Sequence, residues 1–460
     1  MLRASLHPLR PGPVRTVGLL LRYSSTSSTR ASDPLRILFC GSDDFSCHSL
    51  RALHAEHVRN PSLISSINVV ARPGKPTGRG LRRIRVPPIK PLAEELCLPV
   101  HERDTFTGWT PPTPGTSPNP INLIIAVSFG LFVPPRLLRG AKYGGLNVHP
   151  SLLPDFRGPA PLQHTLLTGR THTGVTLQTL DEHAFDHGTV LAQTPLPGVP
   201  VPEECTLPQL HELLAPLGAE LLVQALRDGA HVPPRVSVGW QPTAAQLAEV
   251  RHAPKITKLD SGVDWGCSSW ARDAGTWTAS DLARRFRALG LNSLWTRAVS
   301  PANGEKRVIW EDVEACECPA ELGSFVQKLL SRQISGTETI SDTSSEGHQE
   351  VDGAFAGVNT ISWAMEDYET HQIRHYRIPY TTDGYSIIIP VRVSYNSVEN
   401  QRSISPRREL DALKIKKAKV EGEQSKPAGQ AMKQFAEGSH EDRDLFSLEF
   451  AMNIIAEGNQ

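Results

Sequence analysis

Three short apolar segments constrain the fold most: Leu35–Phe39, Ile67–Val70 and Ile121–Val127. Runs this short, bounded by turn residues, read as strands buried on both faces. The first ends in a turn at Gly41 and leads into a helical stretch through Ser46–Ala55; Pro91–Leu96 reads as a further short helix. Strands alternating with helical stretches imply an α/β unit with a parallel sheet and crossover helices. Such sheets hold ligands outside the carboxyl ends of their strands, so the loops after these strands are where chemistry is expected.

With 460 residues there is room for a second domain. Around Val199–Arg251 the chain turns Pro-rich, with one helical stretch at Leu210–Leu226. A second domain is expected from about Ile256, opening with an amphipathic helix at Ser280–Leu289. Arg307–Trp310, Ser386–Val393 and Leu413–Val420 then suggest a small antiparallel barrel or sheet. Ser331–Gly353 is polar and poor in large apolar residues, the composition of a disordered insertion. The expected division is 1–31 as a leader, 34–230 as the first domain, 231–255 as a linker, 256–440 as the second domain, and 441–460 as a tail.

The leader differs in kind from the rest of the chain. Residues 1–31 carry no acid, while Arg3, Arg10, Arg15, Arg22 and Arg30 sit in a Ser/Thr-rich stretch. That is the composition of a mitochondrial transit peptide, and it implies a matrix location. No apolar run approaches the ~20 residues that span a bilayer, so no membrane partner is expected. The seven cysteines form no CxxC pair, which argues for reduced thiols rather than disulfides or a structural zinc site.

The chemistry concentrates in two stretches. Gly145–Leu146–Asn147–Val148–His149 reads as a strand end, and residues two apart there share a face. An amide and an imidazole converging on one point can donate to a developing oxyanion. Taken alone, an Asn-x-His pair is weak, because a core histidine with a satisfied partner is commoner. Downstream, Thr173–Leu180 alternates like a strand and runs into Asp186-His187-Gly188. A carboxylate there could orient His149 and raise its basicity, although Asp-x-Gly is also an ordinary turn. His183 and His187 would stack only on a helix, and their β-like flanks and glycine argue against a helix, so no metal is expected.

Gly41-Ser42-x-x-Phe45-Ser46, Gly78-Arg79-Gly80, Phe129-Gly130-Leu131, Asn147-x-His149-x-Ser151-Leu152-Leu153-Pro154-x-x-Arg157-Gly158 and Asp186-x-Gly188 occur in one order. In that order the chain resembles the methionyl-tRNA formyltransferases, closely over Leu35–Gly198 and more faintly through Ala253–Ile256, Asp264-Trp265 and Lys414–Glu423. The resemblance implies a Rossmann-like domain that takes 10-formyltetrahydrofolate and a C-terminal, OB-like barrel that contacts tRNA. It implies Asn147, His149 and Asp186 as catalytic residues. Phe129, Gly130, Leu131, Ser151, Leu152, Leu153 and Pro154 would shape the folate pocket, and Arg79 would contact tRNA. Four departures stand out: Pro150 in place of Ala or Gly, Ser42-Asp43 in place of Thr-Pro, Thr189 in place of Asp, and one extra residue between Thr176 and Asp186.

Net charge is zero, but its distribution is uneven. Between Glu56 and Glu94 there is no acid, while Arg79, Arg82, Arg83 and Arg85 fall in a stretch with Gly74, Gly78 and Gly80. A mobile basic loop suits the phosphates of an acceptor stem. A second basic set, including Lys414, Lys416 and Lys417, lies in the expected barrel. Together they favour methionyl-tRNA as acceptor over two alternatives: a formyltransferase or hydrolase of the same superfamily acting on a small amine, and a non-catalytic RNA-binding protein on this fold. Nothing demands a dimer, and a monomer is expected.

Overall fold

The computed structural model describes residues 31–112, 120–263, 278–290, 294–300, 302–326, 358–366, 373–395 and 408–437. The leader, Asp264-Trp265, the 331–353 stretch and the tail therefore lie outside the described residues, apart from Ala31. The chain divides into two compact units, one holding the residues up to Leu153 with Gly174–Val199 and Leu217–Gln241. The other holds Pro154–Thr173, Pro200–Pro216 and the residues from Pro242 onward.

The strands up to residue 200 are β1 (Leu35–Gly41), β2 (Ile64–Ala71), β3 (Lys75–Thr77), β4 (Arg83–Arg85), β5 (Val100–Glu102), β6 (Leu123–Val127), β7 (Gly145–His149), β8 (His172–Thr173), β9 (Thr176–Thr179), β10 (Val190–Gln193) and β11 (Val199–Pro200). Seven of these form one sheet in the order β10-β9-β7-β6-β1-β2-β5. From β5 to β7 every pairing is parallel, and β9 and β10 add an antiparallel edge. Ile37, Leu38, Phe39 and Cys40 on β1 are all fully buried, as both faces of a central parallel strand should be. Helix α1 (Asp44–Arg59) comes directly after; Asp43 caps it by accepting from Ser46 N at 3.1 Å, and it buries Phe45, Leu50 and Leu53.

The basic stretch is not an open loop. It folds as a two-stranded hairpin, with Lys75 opposite Arg85 and Thr77 opposite Arg83. Gly78 and Gly80 take positive φ of 79° and 74°, which lets the chain reverse without a Cβ clash. All six strand residues are exposed.

The second unit carries α2 (Ala279–Leu289) and the strands β12 (Trp295–Ser300), β13 (Gly304–Glu317), β14 (Val358–Glu366), β15 (Ile373–Thr382), β16 (Ile387–Tyr395) and β17 (Arg408–Val420). They pair antiparallel in the order β12-β13-β17-β16-β15-β14, and β14 returns to β12, so a six-stranded barrel closes among the described residues. Closure removes the exposed edges that an open sheet would leave. Trp310 and Trp363 meet edge to face in its core at 5.6 Å. α2 is held by a capping box between Thr278 and Asp281, and its first amide, from Ala279, donates to Asp411 on β17 at 2.8 Å.

One buried histidine in the first unit gives acid sensitivity. His231, 1% exposed, meets Ser32 Oγ at 2.9 Å and the edge of Tyr143. Burial, helped by the nearby Arg235 charge, lowers its pKa to about 4. The unfolded chain therefore binds a proton at this residue between its ordinary value of about 6.5 and about 4, while the folded chain does not. Stability should be intact above that window and fall as pH drops through it. Melting temperatures of wild type and His231→Gln, compared at pH 7 and 4.5, check this: the variant should lose less on acidification.

Candidate active site

The sheet's antiparallel edge assembles the site. β7 lies between β6 and β9, with Ala126 and Gln178 on either side of Asn147 and with His149 opposite Thr176. Asn147 and His149 share a face of this strand end, and His149 is 5% exposed. Asn147 Nδ2 donates to Ala126 O at 2.9 Å, which fixes the amide's orientation.

Asp186 arrives from the turn between β9 and β10 with φ of 59°, a left-handed conformation that Asp tolerates better than most residues. Its Oδ1 stands 3.5 Å from His149 Nδ1, so the carboxylate reaches the imidazole despite the extra residue ahead of it. The turn is held firmly. Asp181 Oδ1 accepts from the amides of His183 and Ala184, contacts that lower the Asp181 pKa. Thr189 N donates to Thr179 Oγ1, and Gly188 sits so close to Thr179 O that no side chain fits. The 181–188 segment is not helical, so His183 and His187 are not stacked on a helix.

The loop after β7 is bolted to the same edge. Thr176 Oγ1 donates to Ser151 O and accepts from Leu153 N, while Gln193 Nε2 donates to Leu153 O. Ser151 and Leu153 are buried, Leu152 is half-buried, and Pro154 begins the second unit. After β6, Ser128 and Gly130 take positive φ and are exposed, and nothing lies within 4 Å of where a Gly130 Cβ would stand. Phe129 turns inward to the core with Phe106, Leu131 packs against the same cluster, and the Phe129 carbonyl accepts from Ser42 Oγ. Two aromatic rings flank the turn: Phe185, 59% exposed, meets Phe132 edge-on at 5.2 Å. Burial raises the Cys40 pKa, and burial with Asp44 and Asp43 raises that of Cys47 to about 11, so neither thiol is an ionised nucleophile at neutral pH.

The two basic sets differ in partners. Arg82, Arg83 and Arg85 are exposed on the hairpin and make no ion pair among the described residues; for Arg79 only the backbone is described. On β17, Lys416 pairs with Glu314 at 2.5 Å and Lys417 lies 4.0 Å from Glu311, while Lys414 sits directly across from Glu314. Cross-strand acids on β13 thus offset charge that looked uniform in sequence. Gln178, Thr176 and Gln193 are the polar groups that sequence reasoning missed.

A family model described as "Formyl transferase" matches residues 35–226. The chain is 35% identical over 331 residues to the mitochondrial methionyl-tRNA formyltransferase of Saccharomyces cerevisiae, covering 65% of this chain and 78% of that one. This chain belongs to the methionyl-tRNA formyltransferase family. Within the family, the Chromohalobacter salexigens methionyl-tRNA formyltransferase is 33% identical over 290 residues, 61% of this chain and 76% of its own length. The human mitochondrial enzyme is 35% identical over 274 residues, and there this chain spans 61% of the relative. Family membership makes the chain a formyltransferase.

Proposed function

We propose that this site moves the formyl group of 10-formyltetrahydrofolate onto the α-amino group of methionyl-tRNA for initiation of translation in the mitochondrial matrix. In the proposed division, residues 34–230 form the folate and catalytic domain, 231–255 a linker, and 256–440 a tRNA-binding barrel domain. The observation that carries this is the Asn147–His149–Asp186 constellation at the end of a central strand. The Arg-rich, acid-free leader and the mitochondrial relatives support the compartment.

The donor supplies an activated formyl carbon; the chain supplies position, proton handling and charge stabilisation. The folate ring is assigned to Phe129–Leu131, where the backbone is exposed at Gly130, and to Ser151–Leu153. A free α-amino group ionises near ~7.7–8.0, so part of it is already neutral and needs only a modest base. With His149 Nδ1 turned to Asp186, the proton exchange falls to its other ring nitrogen, Nε2. That nitrogen receives the amine proton as the new C–N bond forms, the carboxylate stabilises the imidazolium produced, and the imidazolium returns the proton to the folate nitrogen as the old C–N bond breaks and tetrahydrofolate leaves. The second N–H of Asn147 donates to the formyl oxygen as negative charge builds there.

The test is to incubate purified chain with formyl-folate and methionyl-tRNA and to score formyl-methionine after ester hydrolysis. Transfer to a small amine but not to methionyl-tRNA would overturn the acceptor. Phosphate contact by the hairpin makes its own prediction. The Arg82→Ala/Arg83→Ala/Arg85→Ala protein should bind methionyl-tRNA more weakly, with the log K against log salt slope flatter by roughly 2–3, while kcat at saturation holds. An unchanged slope would remove the hairpin from the tRNA path.

A further inference from the structure

Gln178 is 1% exposed on β9, directly across from Asn147. Its amide nitrogen donates to two acceptors, Asn147 Oδ1 at 3.3 Å and Asp186 Oδ1 at 3.0 Å. An amide carries two N–H hydrogens, so both bonds form together. The orientation is chemically forced, because turning the amide over would set Oε1 against a carboxylate. Asn147 is constrained in the same sense: its Nδ2 is committed to Ala126 O, so Oδ1 is the end that Gln178 meets. One amide thus ties the oxyanion donor on β7 to the carboxylate that faces His149, two groups from different elements.

The other end of Gln178 points away from a stabilising role. Its Oε1 is buried without a hydrogen-bond partner among the described residues. A buried unmet acceptor costs stability, and an apolar side chain of the same length would avoid that cost.

We propose that Gln178 is a positioning residue for formyl transfer, its amide holding Asn147 and Asp186 in one rigid frame. This rests on the proposed roles of Asn147, His149 and Asp186. Gln178→Met keeps length and volume and removes the donor. It should lower kcat by roughly tenfold to a hundredfold through lost alignment, leave KM for both substrates within about twofold, and hold or raise the melting temperature. A merely structural residue would move kcat and melting together.

Gln178→Glu gives an independent readout. At neutral pH it sets a second carboxylate against Asp186, and acidification converts it to a donor again. Its kcat relative to wild type should therefore rise as pH falls. The proposal is overturned if Gln178→Met keeps wild-type kcat, if its kcat loss only tracks lost stability, or if the Glu variant's ratio is flat with pH. If His149→Ala is inactive while Gln178→Met is fully active, only the positioning role fails. Wild-type activity in His149→Ala would instead sink the assignment beneath it.

Discussion

Alanine at position 149 is expected to lower kcat by roughly a hundredfold or more while methionyl-tRNA stays bound. His149 closes β7 with Asp186 Oδ1 at 3.5 Å, so its removal takes away both the proton acceptor and the cation the carboxylate would stabilise. Asn147→Ala should cost a similar amount, since one lost oxyanion donor is worth roughly 2.7–4 kcal/mol of transition-state stabilisation. The two act in one transition state, as proton acceptor and as oxyanion donor, so the double variant should lose less than the sum of the singles. Single-turnover formylation separates this from binding, and filter binding of methionyl-tRNA gives the control. Near-wild-type turnover in either single variant would take the catalytic assignment away.

How legible the molecule was in sequence depended on whether each force leaves a local trace. β1 and β6 are apolar because both their faces are buried, so their runs announced a parallel sheet. Helices α1 and α2 appeared where expected, each opened by a short polar cap at Asp43 or Thr278. The basic stretch was harder. Its glycines signalled irregularity, yet they are the residues that close the β3–β4 hairpin, and exposed strands only three residues long leave little periodicity to find.

Within the site, Asn147 and His149 could be placed on one face from their spacing alone. Asp186 could not, because its approach depends on the β9–β10 turn, where Asp186 itself takes left-handed backbone. Gln178 left no signal. A glutamine inside an alternating strand is ordinary, and its importance comes from the antiparallel register that sets it beside Asn147. The same holds for charge: Lys416 and Lys417 read as a basic patch until β13 brings Glu314 and Glu311 alongside. Contacts across strands decide these cases, and they lie 31 to more than 100 residues apart in the chain.

Gly188→Ala should be as damaging as losing a catalytic side chain, although residue 188 carries no chemistry. A Cβ there would stand 1.7 Å from Thr179 O and 2.6 Å from Thr179 C, both backbone atoms. Thr179 has little freedom to yield: its N–H donates to Thr189 O, and it pairs with Leu146 on β7. The turn must move instead, and two residues before Gly188 it carries Asp186. Displacing a positioned group by about 1 Å can cost a hundredfold in rate, so kcat should fall by roughly that factor with KM for methionyl-tRNA unchanged. Asp186→Asn, which keeps the shape but not the charge, supplies the comparison. If misplacing the carboxylate is the whole effect, Gly188→Ala/Asp186→Asn should be no slower than the worse of its two parents. A double variant slower by the product of both losses would show that the turn serves catalysis by some route other than Asp186, and wild-type kcat in Gly188→Ala alone would show that the turn is not needed in this position.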